Sequence, residues 1–355
     1  MTELGNSPGN SAAARMAPAK VAILGAGSWG TTFAKIVADA AEGTERRVVI
    51  WGRRQAVVDQ INKNRRNGQY LAGIDLPANI SASTDVVEVL RGAELVVLAV
   101  PAQSLRSQLK AWAPLLSPEA VVVSLMKGLE VGTDARMSQV IGEELDLQPH
   151  RIAVISGPNL AMEIARQEPT ASVVACTDES VAAWIAGVCT AAYFRPYTNT
   201  DVVGVEIGGI VKNVIALAVG ICEGRRMGDN TKASVITRGL AETTRLALAL
   251  GGRAETMSGL AGLGDLVATC SSPLSRNHTA GRLIGQGLTM DEVAQQMTQT
   301  AEGIKSGQAV HDLARQYGVE MPITAAVVAV LAGKMSVDDL GPNLLARELK
   351  SEGGY

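Results

Sequence analysis

Short apolar runs alternate with helix-length segments along the first half of the chain. The runs are rich in Val, Ile and Leu, as expected for parallel strands that are buried on both faces of a sheet. Strands that are separated by helical segments indicate βαβ units. The pattern therefore predicts a doubly wound, mostly parallel sheet, with strands at 21–24, 48–51, 95–100, 121–126, 152–155 and 171–175.

The pattern changes at residue 202, after which we predict helices and no strand. The predicted helices are 205–222, 232–250, 277–285, 290–298, 304–317 and 323–332. We therefore expect an α/β Rossmann domain over residues 20–201 and an all-α domain over residues 202–345. Small and polar residues predict a disordered tail over 1–19, and the last segment, 346–355, is expected to be frayed.

The composition argues against a nucleic-acid-binding protein, a membrane protein and a metalloprotein. Of 355 residues, 47% are hydrophobic and 19% are charged, and the net charge of −3 argues against a general nucleic-acid binder. No uninterrupted apolar run reaches the roughly 18–20 residues of a membrane span, so we expect no membrane insertion. The four cysteines and three histidines lie apart and form no CxxC motif. We therefore expect no metal site, and reduced thiols in a cytoplasmic protein.

The first apolar run leads into a glycine-rich turn, with the sequence VAILGAGSWGTT. A strand, then G-x-G-x-x-G, then a helix is typical of a dinucleotide-binding turn. Gly25 permits the tight turn, Gly27 lets the backbone approach a pyrophosphate, and Gly30 lets the helix pack close to the strand. The phosphates then lie at the helix N-terminus. The alternative is an incidental glycine-rich turn.

The end of the second predicted strand bears on the choice between NAD and NADP. NAD sites usually carry an acidic residue here, roughly 20 residues after the glycines, for the ribose 2′-hydroxyl. This chain has Arg53 and Arg54 instead, and guanidinium groups suit a 2′-phosphate. The sequence favours NADP, with NAD as the second choice. The alternative is that both arginines are solvated at the surface.

Two lysines are candidates for polar roles in a cleft. Lys212 is the only charged residue between Glu206 and Glu223, in a predicted helix that is apolar nearly all round. It either exchanges protons in a cavity, or it reaches the surface or pairs with a carboxylate. Lys127 follows the predicted strand 121–126, whose end faces the ligand crevice of such a sheet. Its alternative is an exposed loop position.

Two further segments are candidate ligand-binding loops. The first, SGPNLAMEIA, has Gly157 in a turn at the crevice edge, or else is an ordinary strand–turn–helix link. The second, GLAGLGDLVATCSSPLSRN, is rich in small residues and ends in Ser275, Arg276 and Asn277 at a helix start. Those three residues suit an anion. The alternative is N-capping by Ser275 beside a surface Arg276.

Five segments together resemble one family: GAGSWGT, KGLE, SGPNLAMEIA, GGIVKNVIALAVGICEG and AGLGDLVATCSSPLSRN. In this order they resemble the NAD(P)-dependent glycerol-3-phosphate dehydrogenases of the bacterial soluble type. The resemblance implies reversible hydride transfer between NAD(P)H and dihydroxyacetone phosphate, which gives sn-glycerol 3-phosphate for phospholipid synthesis. It also implies a substrate site between the two domains and a homodimer. The alternatives are a β-hydroxyacid-type dehydrogenase and a non-catalytic NADP-sensing protein.

The resemblance also implies roles for single residues. Lys212 matches the family's general acid/base lysine, Arg276 should hold the substrate phosphate, and Asp265 should bind the reacting end or orient Lys212. Thr300 stands where an apolar residue is expected. The other implied substrate contacts are Lys127, Gly157, Ser275, Asn277 and Asn159, the last in place of the family's usual Ser or Thr. The implied cofactor contacts are Gly25, Gly27, Ser28, Trp29, Gly30, Arg53, Arg54, Lys127, Ala161, Arg276 and Glu302.

Overall fold

A single eight-stranded sheet forms the first part of the protein. The computed structural model describes residues 15–297 and 301–341. The strands are β1 (Lys20–Leu24), β2 (Arg47–Trp51), β3 (Ile80–Ser83), β4 (Leu95–Leu98), β5 (Val121–Ser124), β6 (Ile152–Ser156), β7 (Thr170–Cys176) and β8 (Phe194–Asn199). Their order is β3-β2-β1-β4-β5-β6-β7-β8. Within the described residues, neighbouring strands are parallel except β6 and β7.

Helices alternate with the strands as far as β8, and the described chain after β8 is helical. Among the strands lie α1 (Ser28–Asp39), α2 (Gln55–Asn64), α3 (Val86–Leu90), α4 (Leu105–Trp112), α5 (Met137–Leu145), α6 (Ala161–Ala165) and α7 (Glu179–Val188). After β8 come α8 (Val202–Gly224), α9 (Asp229–Ala249), α10 (Ala254–Ser258), α11 (Asp265–Ser271), α12 (Arg276–Gly285), α13 (Met290–Gln296), α14 (Glu302–Gln316) and α15 (Pro322–Leu331). A π-helical turn, Leu260–Gly264, leads directly into α11.

The predicted fold class, a Rossmann sheet followed by helices, is confirmed. Two strands were not predicted, because neither is a continuous apolar run. Alternate residues of β3 are exposed or only half-buried, and β8 has one fully buried residue, Phe194, as an edge strand with a single neighbour. Pro196 in β8 is tolerated because an edge strand has an unpaired side. The segment 259–277 was predicted as a loop, and this was wrong, since it contains the π-helical turn and α11.

The chain ends are described only in part. Residues 1–14, 298–300 and 342–355 lie outside the described part of the chain, and they include Thr300 and the predicted terminal segment 346–355. Residues 15–19 of the predicted tail are described, and two of them contact α7. The guanidinium of Arg15 lies 5.6 Å from the ring centre of Trp184, whose indole N–H donates to the carbonyl of Met16 at 2.9 Å.

Helix α8 is the central element of the helical part. Its length and hydropathy would allow it to cross a bilayer, but 94% of its most apolar window is buried inside the protein, as in the core helix of a globular fold. It packs backbone to backbone against α12. A Cβ atom at Gly220 would overlap the carbonyl oxygen of His278, and one at Gly281 would overlap that of Leu217. The separation of these two helices is therefore set by main-chain contact.

A buried carboxylate joins α9 to the start of α15. Glu242 is 2% exposed and accepts hydrogen bonds from the backbone N–H of Ile323 at 2.6 Å and of Thr324 at 3.2 Å. Burial raises the pKa of Glu242 to about 7, although the hydrogen bonds from α15 oppose this rise. Glu242 therefore makes the stability of this helix pair depend on pH.

We expect Glu242→Gln to become more stabilising, relative to the wild type, as the pH rises. The pKa of Glu242 is raised in the folded state, so its contribution to stability is complete below about pH 4.5 and is lost as the pH rises through about 7. Glutamine does not titrate and keeps an acceptor oxygen. Between pH 5 and pH 8 the difference in free energy of unfolding, variant minus wild type, should rise by about 2.5 kcal/mol in urea titrations. A control, Glu255→Gln at an exposed position, should show a constant difference; a constant difference for Glu242→Gln would contradict the expectation.

Candidate active site

The glycine-rich turn has the shape that a bound dinucleotide requires. Gly25 has a φ of +130°, and a Cβ there would overlap the carbonyl oxygen of Ala99. A Cβ at Gly30 would overlap the carbonyl oxygen of Gly25, so helix α1 can approach the strand only with glycine at this position. A Cβ at Gly27 would have no atom within 4 Å. Gly27 therefore faces open space beside the N-terminus of α1, where phosphates are favoured.

Trp29 provides a second observation in favour of a ligand at this turn. Its indole Nε1 is buried and has no hydrogen-bond partner among the described residues. A buried donor without a partner is costly, and a ligand can satisfy it. Ala161, the first residue of α6, accepts a hydrogen bond through its carbonyl from the Thr32 hydroxyl at 3.1 Å. This contact places Ala161 against α1, so the residues of the turn and Ala161 fit a dinucleotide.

The two arginines at the end of β2 are exposed but differ in their contacts. Arg54 donates from Nη2 to the hydroxyl of Tyr70 at 2.7 Å, and its guanidinium lies 5.4 Å from the centre of the same ring. Ser28, in the first turn of α1, donates to the carbonyl of Tyr70 at 3.1 Å. Tyr70 therefore contacts Arg54 through its side chain and the glycine-rich turn through its backbone carbonyl.

One carboxylate bridges the two candidate lysines. Asp265 begins α11 and is 1% exposed. Its Oδ1 accepts from Lys212 Nζ and its Oδ2 accepts from Lys127 Nζ, both at 2.5 Å. Lys212 also donates to the hydroxyl of Thr269 at 2.7 Å, and Lys127 to the carbonyl of Gly157 at 3.0 Å. Lys127 at the end of the sheet and Lys212 on α8 thus bind the same carboxylate. Lys212 is buried and paired with Asp265, and it does not extend to the surface.

The electrostatics of this cluster favour an anionic ligand. Two lysines share one carboxylate, so the cluster carries a net positive charge when both are protonated. Burial lowers the pKa of Lys127 to about 8, with Asp265 opposing this and the Lys212 charge adding to it. Burial also raises the pKa of Glu302, the first residue of α14, against the nearby charges of Arg276, Lys212 and Lys127. These charged groups therefore lie close enough to influence one another.

The start of α12 is held in place by its side chains. Ser275 caps the helix, because its hydroxyl accepts from the backbone N–H of His278 at 3.2 Å. The Asn277 amide donates to Asn213 Oδ1 at 2.9 Å and accepts from the backbone N–H of Gly303 at 2.8 Å. Both features of the alternative interpretation are therefore present, since Ser275 caps the helix and Arg276 is exposed. Asn277 uses its amide to join α8 and α14, and the charge of Arg276 lies close enough to Glu302 to influence the pKa of that carboxyl group.

Asn159 differs from Asn277 because its side-chain amide has no hydrogen-bond partner among the described residues. Both polar atoms of its side-chain amide are buried without a hydrogen-bond partner in the described part of the chain. Asn159 lies three residues after the end of β6 and two residues after Gly157, whose carbonyl accepts from Lys127. A buried donor and a buried acceptor are thus available in the loop that Lys127 contacts.

Sequence reasoning missed Thr269, Asn213 and Tyr70. Thr269 follows Asp265 by four residues, which is one helical turn, but the helix itself was not predicted. Asn213 follows Lys212 directly, and the sequence alone had no contact to assign to it. Tyr70 lies in an irregular segment, where no periodicity marks its direction.

Comparison with known proteins identifies the family of the chain. The family described as NAD-dependent glycerol-3-phosphate dehydrogenase N-terminus matches residues 20–182, and its C-terminus counterpart matches residues 201–341. A glycerol-3-phosphate dehydrogenase [NAD(P)+] from Thermobifida fusca is 60% identical over 312 residues, which are 88% of this chain and 92% of that protein. The counterpart from Streptomyces coelicolor is 56% identical over 335 residues, 94% of this chain and 98% of that protein.

A solved structure gives the same result. The crystal structure of glycerol-3-phosphate dehydrogenase from Coxiella burnetii is similar with a TM-score of 0.87 and 36% identity, over 92% of this chain and 99% of that chain. The resemblance of the five segments is thereby confirmed over both parts of the chain. The chain belongs to the NAD-dependent glycerol-3-phosphate dehydrogenase family, a family of NAD(P)-dependent oxidoreductases.

Proposed function

We propose that the chain catalyses the reversible reduction of dihydroxyacetone phosphate to sn-glycerol 3-phosphate, with NADPH preferred and NADH as the second cofactor. The observation that carries this proposal is the bridge of Asp265 to Lys212 and Lys127. Lys127 follows β5 and the glycine-rich turn follows β1, and these strands end at the same edge of the sheet because β1, β4 and β5 are parallel neighbours. The bridge thus offers a buried proton donor at the edge of the sheet where a dinucleotide fits.

The dinucleotide, when bound, supplies the hydride. In this proposal the glycine-rich turn and the N-terminus of α1 hold its pyrophosphate, and Arg54 with Arg53 binds the 2′-phosphate. The remaining cofactor contacts are Ser28, Trp29, Ala161, Lys127, Arg276 and Glu302.

Arg276 and its neighbours bind the substrate phosphate in this proposal. Arg276 is the first residue of α12, where the helix dipole adds to the guanidinium charge. Binding the phosphate here positions the ketone carbon, so that energy from a remote group supports the reaction. Asn159, Gly157 and Lys127 hold the remainder of the three-carbon chain, with the free amide of Asn159 suited to a hydroxyl.

Lys212 is the proton donor in this proposal. Its ammonium group stabilises the negative charge that develops on the ketone oxygen, and it then transfers a proton to that oxygen to complete the hydroxyl group. In the reverse direction the neutral amine accepts the hydroxyl proton. Asp265 and Thr269 hold Nζ of Lys212 in place at 2.5 and 2.7 Å.

We expect kcat/KM for dihydroxyacetone phosphate to decrease above about pH 8, because the pKa of Lys127 is about 8 and the neutral lysine no longer attracts the anionic substrate. The profile of kcat/KM reports groups of the free enzyme. Lys127→Arg keeps its charge above pH 8, so its profile should stay level to higher pH even if its maximum is lower. A decrease at the same pH in both proteins would assign the titration to another group.

The test of the proposed function is a comparison of substrates and cofactors with the purified protein. Loss of NADPH and NADH absorbance is followed with dihydroxyacetone phosphate, with unphosphorylated dihydroxyacetone, and with a panel of β-keto acids. We expect oxidation only with the phosphorylated ketone, and faster oxidation of NADPH than of NADH. Reduction of a β-keto acid instead would support a β-hydroxyacid-type enzyme, and cofactor binding without any turnover would support a sensor.

Three wider inferences rest on the same resemblance. We infer that the protein is a cytoplasmic homodimer whose product enters phospholipid synthesis. The four buried, unpaired cysteines are compatible with a reducing compartment. Light scattering coupled to size-exclusion chromatography tests the dimer, since a monomeric mass of 36.9 kDa would contradict it.

A further inference from the structure

We propose that Tyr70 is a positioning residue for Arg54 and thereby determines how strongly the protein prefers NADPH to NADH. The inference rests on the proposed function, in which Arg54 binds the 2′-phosphate. Neither the family resemblance nor the sequence pattern assigned a role to Tyr70.

The side chain of Tyr70 holds the Arg54 guanidinium in two ways. The hydroxyl accepts a hydrogen bond from Arg54 Nη2 at 2.7 Å, and the guanidinium lies 5.4 Å from the ring centre, within the range of a cation–π contact. The hydrogen bond fixes one edge of the guanidinium and the ring contact fixes its face. Together they restrict the orientation of Arg54 before any ligand binds.

The backbone around Tyr70 is attached to the glycine-rich turn. The Ser28 hydroxyl donates to the carbonyl of Tyr70 at 3.1 Å. Three residues earlier, the buried Asn67 amide donates to the carbonyl of Ala26 and to the hydroxyl of Thr31, both at 2.9 Å. The segment is thus fixed independently of the Tyr70 side chain. Tyr70 consequently places Arg54 at a fixed position relative to the pyrophosphate site.

Fixing the Arg54 guanidinium should strengthen binding only of a cofactor that carries a 2′-phosphate. An exposed arginine loses rotamer freedom when it binds a ligand, and a side chain that is already held loses less. Arg53 illustrates the contrast, because its side chain makes no hydrogen bond or ion pair within residues 15–297 and 301–341. NADH has a hydroxyl in place of the phosphate, so the position of Arg54 should affect it little.

The test measures dissociation constants of NADP+ and NAD+ by calorimetry, together with steady-state constants. Tyr70→Phe keeps the ring and removes only the hydroxyl. We expect it to raise Kd for NADP+ roughly fivefold, as for loss of one ordinary hydrogen bond, with Kd for NAD+ within about twofold and kcat unchanged. Tyr70→Leu also removes the ring and should raise Kd for NADP+ further.

A matched control exists elsewhere on the surface. The Arg195 guanidinium lies 5.3 Å from the ring centre of Tyr197 on the edge strand β8, and Tyr197→Phe should leave both dissociation constants unchanged. Arg54→Ala separates the inference from the function on which it rests. If Arg54→Ala weakens NADP+ alone while Tyr70→Phe changes nothing, the role of Tyr70 is overturned and the assignment of Arg54 stands. If neither variant changes the ratio of the two constants, the 2′-phosphate assignment also fails.

Discussion

Replacing Lys212 with alanine is expected to lower kcat for dihydroxyacetone phosphate reduction by about a thousandfold. Under the proposed mechanism, the variant loses both the charge that stabilises the developing oxyanion and the proton that completes the product. Cofactor binding should change little, because Lys212 lies on α8 and contacts Asp265 and Thr269 rather than the glycine-rich turn. Steady-state kinetics with NADPH and calorimetric titration with NADP+ measure the two effects separately.

Lys212→Arg is the control for charge. Arginine keeps the positive charge but does not give up a proton near neutral pH. If proton transfer is the main role of Lys212, the arginine variant should also turn over slowly; if charge alone matters, it should recover most of the activity. Turnover at the wild-type rate in Lys212→Ala would remove this lysine from the mechanism.

Arg276→Ala is expected to raise the KM for dihydroxyacetone phosphate about a hundredfold, with a smaller effect on kcat. Two charge-assisted hydrogen bonds to a phosphate, each contributing about 1.5 kcal/mol, account for this magnitude. Arg276 begins α12, whose cap at Ser275 and anchor at Asn277 do not depend on the arginine side chain. The fold of this helix should therefore persist in the variant, which circular dichroism checks.

Arg282 provides the matched control for this variant. It lies on the same helix, α12, near its other end. Arg282→Ala should leave the substrate dependence unchanged, which would separate a local effect of Arg276 from a general loss of positive charge. An unaltered KM in Arg276→Ala would mean that the phosphate binds elsewhere.

The parts of the fold that could be predicted are those whose burial is complete. Every residue of β1 is buried because helices cover both faces of the sheet, so the strand is an uninterrupted apolar run. The edge strand β8 contains Arg195 and Pro196 and buries only Phe194 fully, so its sequence does not differ from that of a loop. Helix α11 was hidden because a glycine-rich π-helical turn precedes it.

The candidate site was predictable as a set of residues but not as a set of contacts. Lys212 was conspicuous because a charge within an apolar helix needs a partner. Its partner, Asp265, is 53 residues away, and the contact from Asp265 to Lys127 spans 138 residues. Such pairs depend on how α11 packs against α8 and the sheet, which local patterns do not record. The same limit applies to Tyr70, whose importance lies in two contacts from separate segments.

The close packing of α8 and α12 has a consequence for enzyme engineering. Lys212 is carried by one of these helices and Arg276 by the other, and their main chains meet at Gly220 and Gly281 without intervening side chains. Under the proposed roles of Lys212 and Arg276, the spacing of these helices fixes the distance between proton donor and phosphate anchor, and with it the length of the substrate. Shortening side chains around the cleft would widen the cleft without changing that distance. Adapting the protein to a longer phosphorylated ketone would require one helix to slide along the other.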